Sequence, residues 1–152
     1  VLQYVKENHL EERVTFLGFI TGEVLENTIA QSKCVVVPSE CHEGCPYTIL
    51  EAFAKGKPVI FREIKGFPQL IREGQNGYLF TPGDSEDLAG KINKLMDLSR
   101  DDYKAMCFAA MDTVVNECNM GKYTTQLLGQ YEKVIKENRR KRIKKTKKGI
   151  KR

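Results

Sequence analysis

The chain has 152 residues, 41% of them hydrophobic and 30% charged, which suits one globular domain with a real core. No apolar run approaches the roughly 20 residues of a membrane span, no signal-peptide pattern opens the chain, and five cysteines form no disulfide framework. The net charge of +5 hides an asymmetry: residues 139–152 hold ten of the 25 Lys and Arg and no acid, leaving 15 basic against 20 acidic groups, a net of −5, in the rest.

In chain order, Val1–Leu10 reads as the end of a helix, so the chain is expected to be part of something longer. Arg13–Gly18 reads as a strand, and Thr21-Gly22-Glu23 opens a helix to about Gln31. Cys34–Pro38 is a fully apolar run stopped by proline, which suits a strand buried on both faces. Pro46 fits a first helical position, and Lys55-Gly56 ends that helix. Pro58–Phe61 is the next strand. Gly66–Glu73 is expected as a short helix, followed by an Asn76-Gly77 turn and a strand over Tyr78–Phe80. A helix capped by Asp84 or Ser85 carries Leu88, Ile92 and Leu95 on one face. Helices over Arg100 to about Cys118 and Lys122 to about Asn138 complete the chain, with Met106, Cys107, Phe108, Met111, Val114, Val115 and Cys118 expected as core. Residues 1–138 thus read as one domain and 139–152 as an irregular basic tail. The alternation implies an α/β class, a Rossmann-like parallel sheet with helices on both faces and further helices at the C-terminus.

Parallel sheets place ligands at the carboxyl ends of their strands, which singles out the stretch after Pro38. A helix beginning at Pro46 offers backbone N–H groups at Tyr47, Thr48 and Ile49 and the positive end of a dipole, an arrangement suited to phosphate. Gly44 permits close backbone approach and Thr48 adds a hydroxyl. Glu51, one turn further in, interrupts an apolar run and is placed to hold a ribose diol. Other readings of these residues stand beside this one. Cys34, Cys41, His42 and Cys45 could be proposed as a zinc site, although Cys-x3-Cys with an adjacent His is no finger or ribbon spacing. Glu43 and Glu51 could be the acid and base of a hydrolase, although that chemistry has no use for a phosphate-ready helix mouth.

The stretch Pro38-Ser39-Glu40-Cys41-His42-Glu43-Gly44-Cys45-Pro46, continued through Glu51-Ala52-Phe53-Ala54-Lys55-Gly56-Lys57-Pro58-Val59-Ile60, resembles the donor-binding signature of retaining glycosyltransferases with the GT-B fold. The likeness runs from about residue 10 to 95. It includes Gly66-Phe67-Pro68-Gln69 and the turn around Gly74 and Gly77. Gln69 stands where the family has Glu, Cys45 where it has Phe and Lys65 where it has Gly, so Lys65 could add charge near a phosphate.

The resemblance implies the C-terminal, nucleotide-sugar-binding part of such an enzyme, transferring a sugar with retention to a saccharide or lipid-linked acceptor. It implies Glu43 as the catalytic residue touching the transferred sugar, Gly44, Cys45, Tyr47, Thr48 and Ile49 around the donor sugar and diphosphate, Glu51 on the ribose, and Gly18 and Ile20 beside the base. It implies no metal or other cofactor. The acceptor-binding N-terminal domain is a missing partner, so the 152-residue chain is expected to be inactive alone. The competing class is a non-catalytic nucleotide-sugar-binding or partner domain, whose last helix exposes Tyr123, Leu127, Leu128, Tyr131, Val134 and Ile135. The expected location is the cytoplasm, with residues 139–152 able to hold an anionic membrane face and no specific nucleic acid as ligand.

Overall fold

The computed structural model describes residues 1–39, 46–64 and 70–149, with residues 142–149 described by their backbone. Three short β-rich runs pair as parallel strands in the order β1 (Val35–Val37), β2 (Val59–Arg62), β3 (Gly77–Phe80). Val35 faces Val59 and Val37 faces Phe61 across the first pair, and Val59 faces Gly77 and Arg62 faces Phe80 across the second. Side chains alternate between the two faces. Val37, Val59 and Phe61 pack with Ile49, Ala52 and Phe53 of α3 (Tyr47–Ala54) and Ala110 of α5 (Arg100–Glu117). Ile60, Tyr78 and Phe80 pack on the other face with Leu95 of α4 (Ser85–Met96) and Met106 of α5. Each large apolar side chain buried this way stabilises the fold by about 1.5–3 kcal/mol.

Local chemistry sets the helix ends. Asp84 caps α4 by accepting from the N–H groups of Glu86 and Asp87, and Ser99 caps α5 by accepting from Asp102 N–H. Pro46 is the extended residue before α3, at φ −63° and ψ 120°, so the helix starts one residue later than its sequence suggests. At the other end Gly56 takes φ +65° and donates to the Phe53 carbonyl, the expected stop. The face of Leu88, Ile92 and Leu95 in α4 packs as its spacing predicts.

Several expectations are corrected. Arg13–Gly18 forms no strand: Val14, Phe16 and Leu17 are exposed, and no described strand lies beside them to complete a ladder. Leu70–Glu73, the described part of the expected helix at 66–73, is irregular. It is shaped by Asn76, whose side chain accepts from Arg72 N–H at 2.7 Å and donates to the Leu70 carbonyl at 2.9 Å and to Thr113 Oγ1 at 3.1 Å. These bonds outcompete a helical turn and pin the approach to β3 onto α5. In α5 the buried residues are Met106, Ala110 and Thr113, at helical spacing; Phe108, Met111, Val115 and Cys118 lie on the opposite side and are exposed rather than core. The last helix, α6, runs from Met120 to Gly149, through most of the segment expected to be irregular. Lys and Arg are good helix formers, and no Pro or Gly interrupts the run between Gly129 and Gly149. Two further helices, α1 (Leu2–Glu7) and α2 (Gly22–Gln31), precede the sheet.

Candidate functional site

Because β1 and β2 are parallel, α3 must run back antiparallel to them, and its first turn returns to the edge where the strands end. That turn carries no side-chain cap and no acidic residue, whereas α4 and α5 have both. Its dipole and orphan amides are therefore uncompensated within the described residues. Of the three amides expected to be free, that of Ile49 is not: it donates to the Pro46 carbonyl at 3.1 Å, and its side chain is fully buried. The Tyr47 and Thr48 amides have no described partner, and both side chains are exposed. Glu43, Gly44 and Cys45 lie outside the described residues, as do Cys41, His42 and Lys65.

Glu51 sits one turn inside this mouth on the exposed side of α3. It lines a groove of about 290 Å³ together with Ala54 and Lys55 of its own helix and Leu25, Glu26 and Ile29 of α2. The cation at its i+4 position is already engaged: Lys55 Nζ lies 2.7 Å from Glu26 Oε2. That contact holds the Glu26 carboxyl below the usual carboxylate range. Glu51 is thereby left with a full set of acceptor positions and no described partner, beside a partly apolar wall. Gly18, at φ +65°, and half-buried Ile20 belong to the connection that leads into α2, the far wall of the groove. No described hydrogen bond joins either of them to α3.

Arg62 is a candidate site residue that sequence reasoning missed. It is half-buried at the carboxyl end of β2, and its Nη1 donates to the Ser39 carbonyl at 3.4 Å. Ser39 is the last described residue before the approach to α3. Unlike Arg72 with Glu117, Lys91 with Glu73 and Lys55 with Glu26, Arg62 has no carboxylate partner among the described residues. Four of its five N–H donors thus have no described acceptor at the ligand edge of the sheet. The signal that could have found it was positional, since the last residue of a parallel strand lands where ligands bind. Cys34, by contrast, precedes β1 at the opposite edge of the sheet, where burial pushes its thiol up from the ordinary value.

With this geometry in hand, residues 2–98 match the family model described as glycosyl transferases group 1. The chain is 29% identical over 143 residues to N-acetyl-alpha-D-glucosaminyl L-malate synthase of Bacillus anthracis, covering 94% of this chain and 36% of that one. Among solved structures it resembles Anabaena HepE in complex with UDP, with a TM-score of 0.76 and 27% identity over 87% of this chain and 35% of that one. It also resembles the C-terminal domain of a group 1 family protein, LpcC, from Francisella tularensis, with a TM-score of 0.68 and 27% identity over 78% of this chain and 60% of that chain. The chain spans about a third of the length of the malate synthase and of HepE, and the match falls in the C-terminal part of such longer proteins.

Proposed function

The chain belongs to the group 1 glycosyl transferases, and from that premise we propose that it is the donor-binding part of a retaining enzyme that uses a nucleotide-diphosphate sugar. Its fold is a partial, Rossmann-like α/β domain of the GT-B kind. The observation that carries the reading is Glu51, a carboxylate without a described partner one turn inside a helix mouth whose first two amides likewise have no partner among the described residues. A diphosphate at that mouth accepts from the Tyr47 and Thr48 amides and from Arg62. The ribose then falls one helical turn along α3, where Glu51 accepts from its vicinal hydroxyls. The base extends along the groove toward α2 and the connection holding Gly18 and Ile20, and Glu43 addresses the sugar. HepE, solved with UDP and with UDP-glucose, is the relative that makes a uridine donor the first one to try.

In the reaction the bond between the anomeric carbon and the diphosphate oxygen breaks, with its electron pair leaving on the nucleoside diphosphate. The acceptor oxygen bonds that carbon on the same face, and its proton leaves with the diphosphate. The helix mouth and Arg62 stabilise the charge that develops on the leaving group, so the binding needs no divalent ion. The acceptor site belongs to the remaining two-thirds of such proteins, and the purified chain is expected to turn over no nucleotide sugar.

The test is a thermal-unfolding and calorimetry panel of UDP, ADP, GDP, CDP and dTDP on the 152-residue chain, with and without EDTA. At least one nucleoside diphosphate is expected to bind. At a hundredfold excess over its Kd it should stabilise the fold by about 2.7 kcal/mol, and EDTA should leave this unchanged. Indifference to every nucleotide would remove the proposal. Arg62→Ala is expected to weaken the same ligand about tenfold or more, the loss of a charge-assisted hydrogen bond, and to flatten the dependence of Kd on salt. An unchanged salt dependence would take Arg62 out of the phosphate site and leave it as a tie between the ends of β1 and β2.

A further inference from the structure

β3 is the end strand of the described sheet, and donor binding makes no use of its outer edge. Its inner side is fixed by β2: the Asn76 and Phe80 carbonyls accept from Val59 and Glu63 N–H at 3.4 and 2.9 Å. Alternation along the strand then turns the main-chain groups of Gly77, Leu79 and Thr81 outward. An outward row of this kind is a template for another chain. Here it is largely taken. Gly74 N–H donates to the Gly77 carbonyl at 2.9 Å, and Glu73 forms an isolated parallel bridge with Gly77. Leu79 N–H donates to Glu73 Oε2 at 2.7 Å, and Thr81 N–H donates to Asp87 Oδ2 at 2.7 Å. The Thr81 carbonyl accepts from Asp84 N–H at 3.1 Å.

The two carboxylates come from different elements, the segment before β3 and the first turn of α4. They nevertheless meet alternate residues of one edge, the spacing at which a fourth strand would place its carbonyls. Glu73 is held by both oxygens, since Oε1 accepts from Lys91 Nζ of α4 at 2.7 Å while Oε2 takes the strand. Lys91 stands one helical turn from Asp87, so α4 supplies one acceptor directly and clamps the other. The amide and hydroxyl of Thr81 keep the Asp87 carboxyl below the usual carboxylate range, which preserves it as an acceptor.

We propose that Glu73 and Asp87, with Lys91 as their clamp, close the sheet at β3 by standing in for a fourth strand, and that without them this edge pairs with β3 of a second copy of the chain. The geometry left behind selects that occupant. The Leu79 carbonyl, the other outward acceptor within β3, has no partner among the described residues. Once its N–H is released, Leu79 presents one donor and one acceptor side by side. That pair is self-complementary about a two-fold axis in an antiparallel ladder. The Gly77 and Thr81 carbonyls stay engaged, so the pairing centres on Leu79. The closure consists of bonds already formed within the chain and therefore holds whatever else of a longer protein packs nearby.

The test is residue-resolved amide hydrogen exchange on the 152-residue chain. Glu73→Ala with Asp87→Ala should speed exchange at Leu79 and Thr81 about tenfold or more at low protein concentration, the loss of a hydrogen bond to a charged group. The Val59 and Glu63 amides, on the inner seam, should keep their parent rates. Raising the concentration of this variant should restore protection at Leu79. Glu73→Gln with Asp87→Asn keeps an acceptor at each position and should stay within about threefold of the parent. Parent-like exchange in the alanine variant would overturn the proposal. Lost protection at Val59 and Glu63 would also overturn it, because the carboxylates would then be ties of the whole sheet. Exchange in the Gln and Asn variant as fast as in the alanine one would refute the stand-in role, and Leu79 rates indifferent to concentration would refute the pairing with a second copy.

Discussion

Replacing Gly77 with alanine is expected to cost about 3–5 kcal/mol of stability, a large share of the roughly 5–15 kcal/mol that holds a domain of this kind together. Gly77 needs no unusual backbone angle. It is required because β3 passes so close to β2 that a Cβ at this position would stand 2.1 Å from the Val59 carbonyl oxygen and 3.1 Å from that residue's N and carbonyl C. All three are main-chain atoms of the central strand, so no side-chain rotation can relieve the contact. The strands must separate at the start of their pairing, where Val59 N–H donates to the Asn76 carbonyl. Moving Asn76 also disturbs the three side-chain hydrogen bonds that anchor residues 70–76 to α5, each contributing about 1 kcal/mol when made and costing more when left unsatisfied in the interior. Urea unfolding followed by circular dichroism should show a midpoint far below that of the parent at unchanged slope. Gly90→Ala is the internal comparison: Gly90 lies exposed within α4 with nothing near its Cβ direction, and the change should stabilise by up to about 1 kcal/mol. If Gly77→Ala unfolds within about 0.5 kcal/mol of the parent, the close passage of β2 and β3 at Val59 is wrong.

That glycine shows what a one-dimensional reading can and cannot see. Asn76-Gly77 is legible as a turn because those residue types tolerate turn geometry, yet the reasons both are needed are contacts with residues 18 and 37 positions away. The elements read correctly are those specified locally: α3 between Pro46 and Gly56, the Asp84 cap, the apolar runs of β1 and β2. The failures share a cause. Arg13–Gly18 has strand-forming residues but no described neighbour to pair with, and a strand is stable only as a member of a ladder. The middle of α5, from Ala105 to Met111, is apolar all round, which says core everywhere, while packing against the sheet selects only the side of Met106, Ala110 and Thr113. The charge of the basic segment suggests an irregular tail, yet a solvated Lys- and Arg-rich run has high helix propensity and continues α6. At the candidate site, Glu51 was visible as a carboxylate out of place in an apolar helix. Arg62 was not, because its importance comes from strand register rather than from a motif.

Glu51→Ala is expected to weaken nucleoside diphosphate binding about ten- to a hundredfold, the usual cost of about 1.5–3 kcal/mol for losing a hydrogen bond to a charged group. Stability should stay within about 0.5 kcal/mol of the parent, because Glu51 is exposed and has no described partner in the folded chain. This separates it from a structural residue in an apolar helix, whose removal would act on folding first. Glu51→Gln, which keeps an acceptor and loses the charge, should fall between the two. The sharper test varies the ligand as well. If Glu51 accepts from the ribose hydroxyls, a 2′-deoxy or 2′,3′-dideoxy nucleotide should bind the parent more weakly and the Ala variant no worse than the ribonucleotide does, since the two deletions remove the same interaction. Additive losses would place the carboxylate elsewhere on the ligand, and an unchanged Kd would remove it from the site. Lys55 supplies a second check from within the groove. It now pairs with Glu26 at 2.7 Å, and it stands one helical turn from Glu51. Glu26→Ala should release Lys55 to its i−4 neighbour and lower nucleotide affinity, although Glu26 itself need not touch the ligand. In the double variant Glu26→Ala, Lys55→Ala, affinity should return toward the parent value. On the proposed reading, the ion pair across the groove keeps Lys55, the one cation among the described residues of the groove lining, off the carboxylate assigned to the ribose.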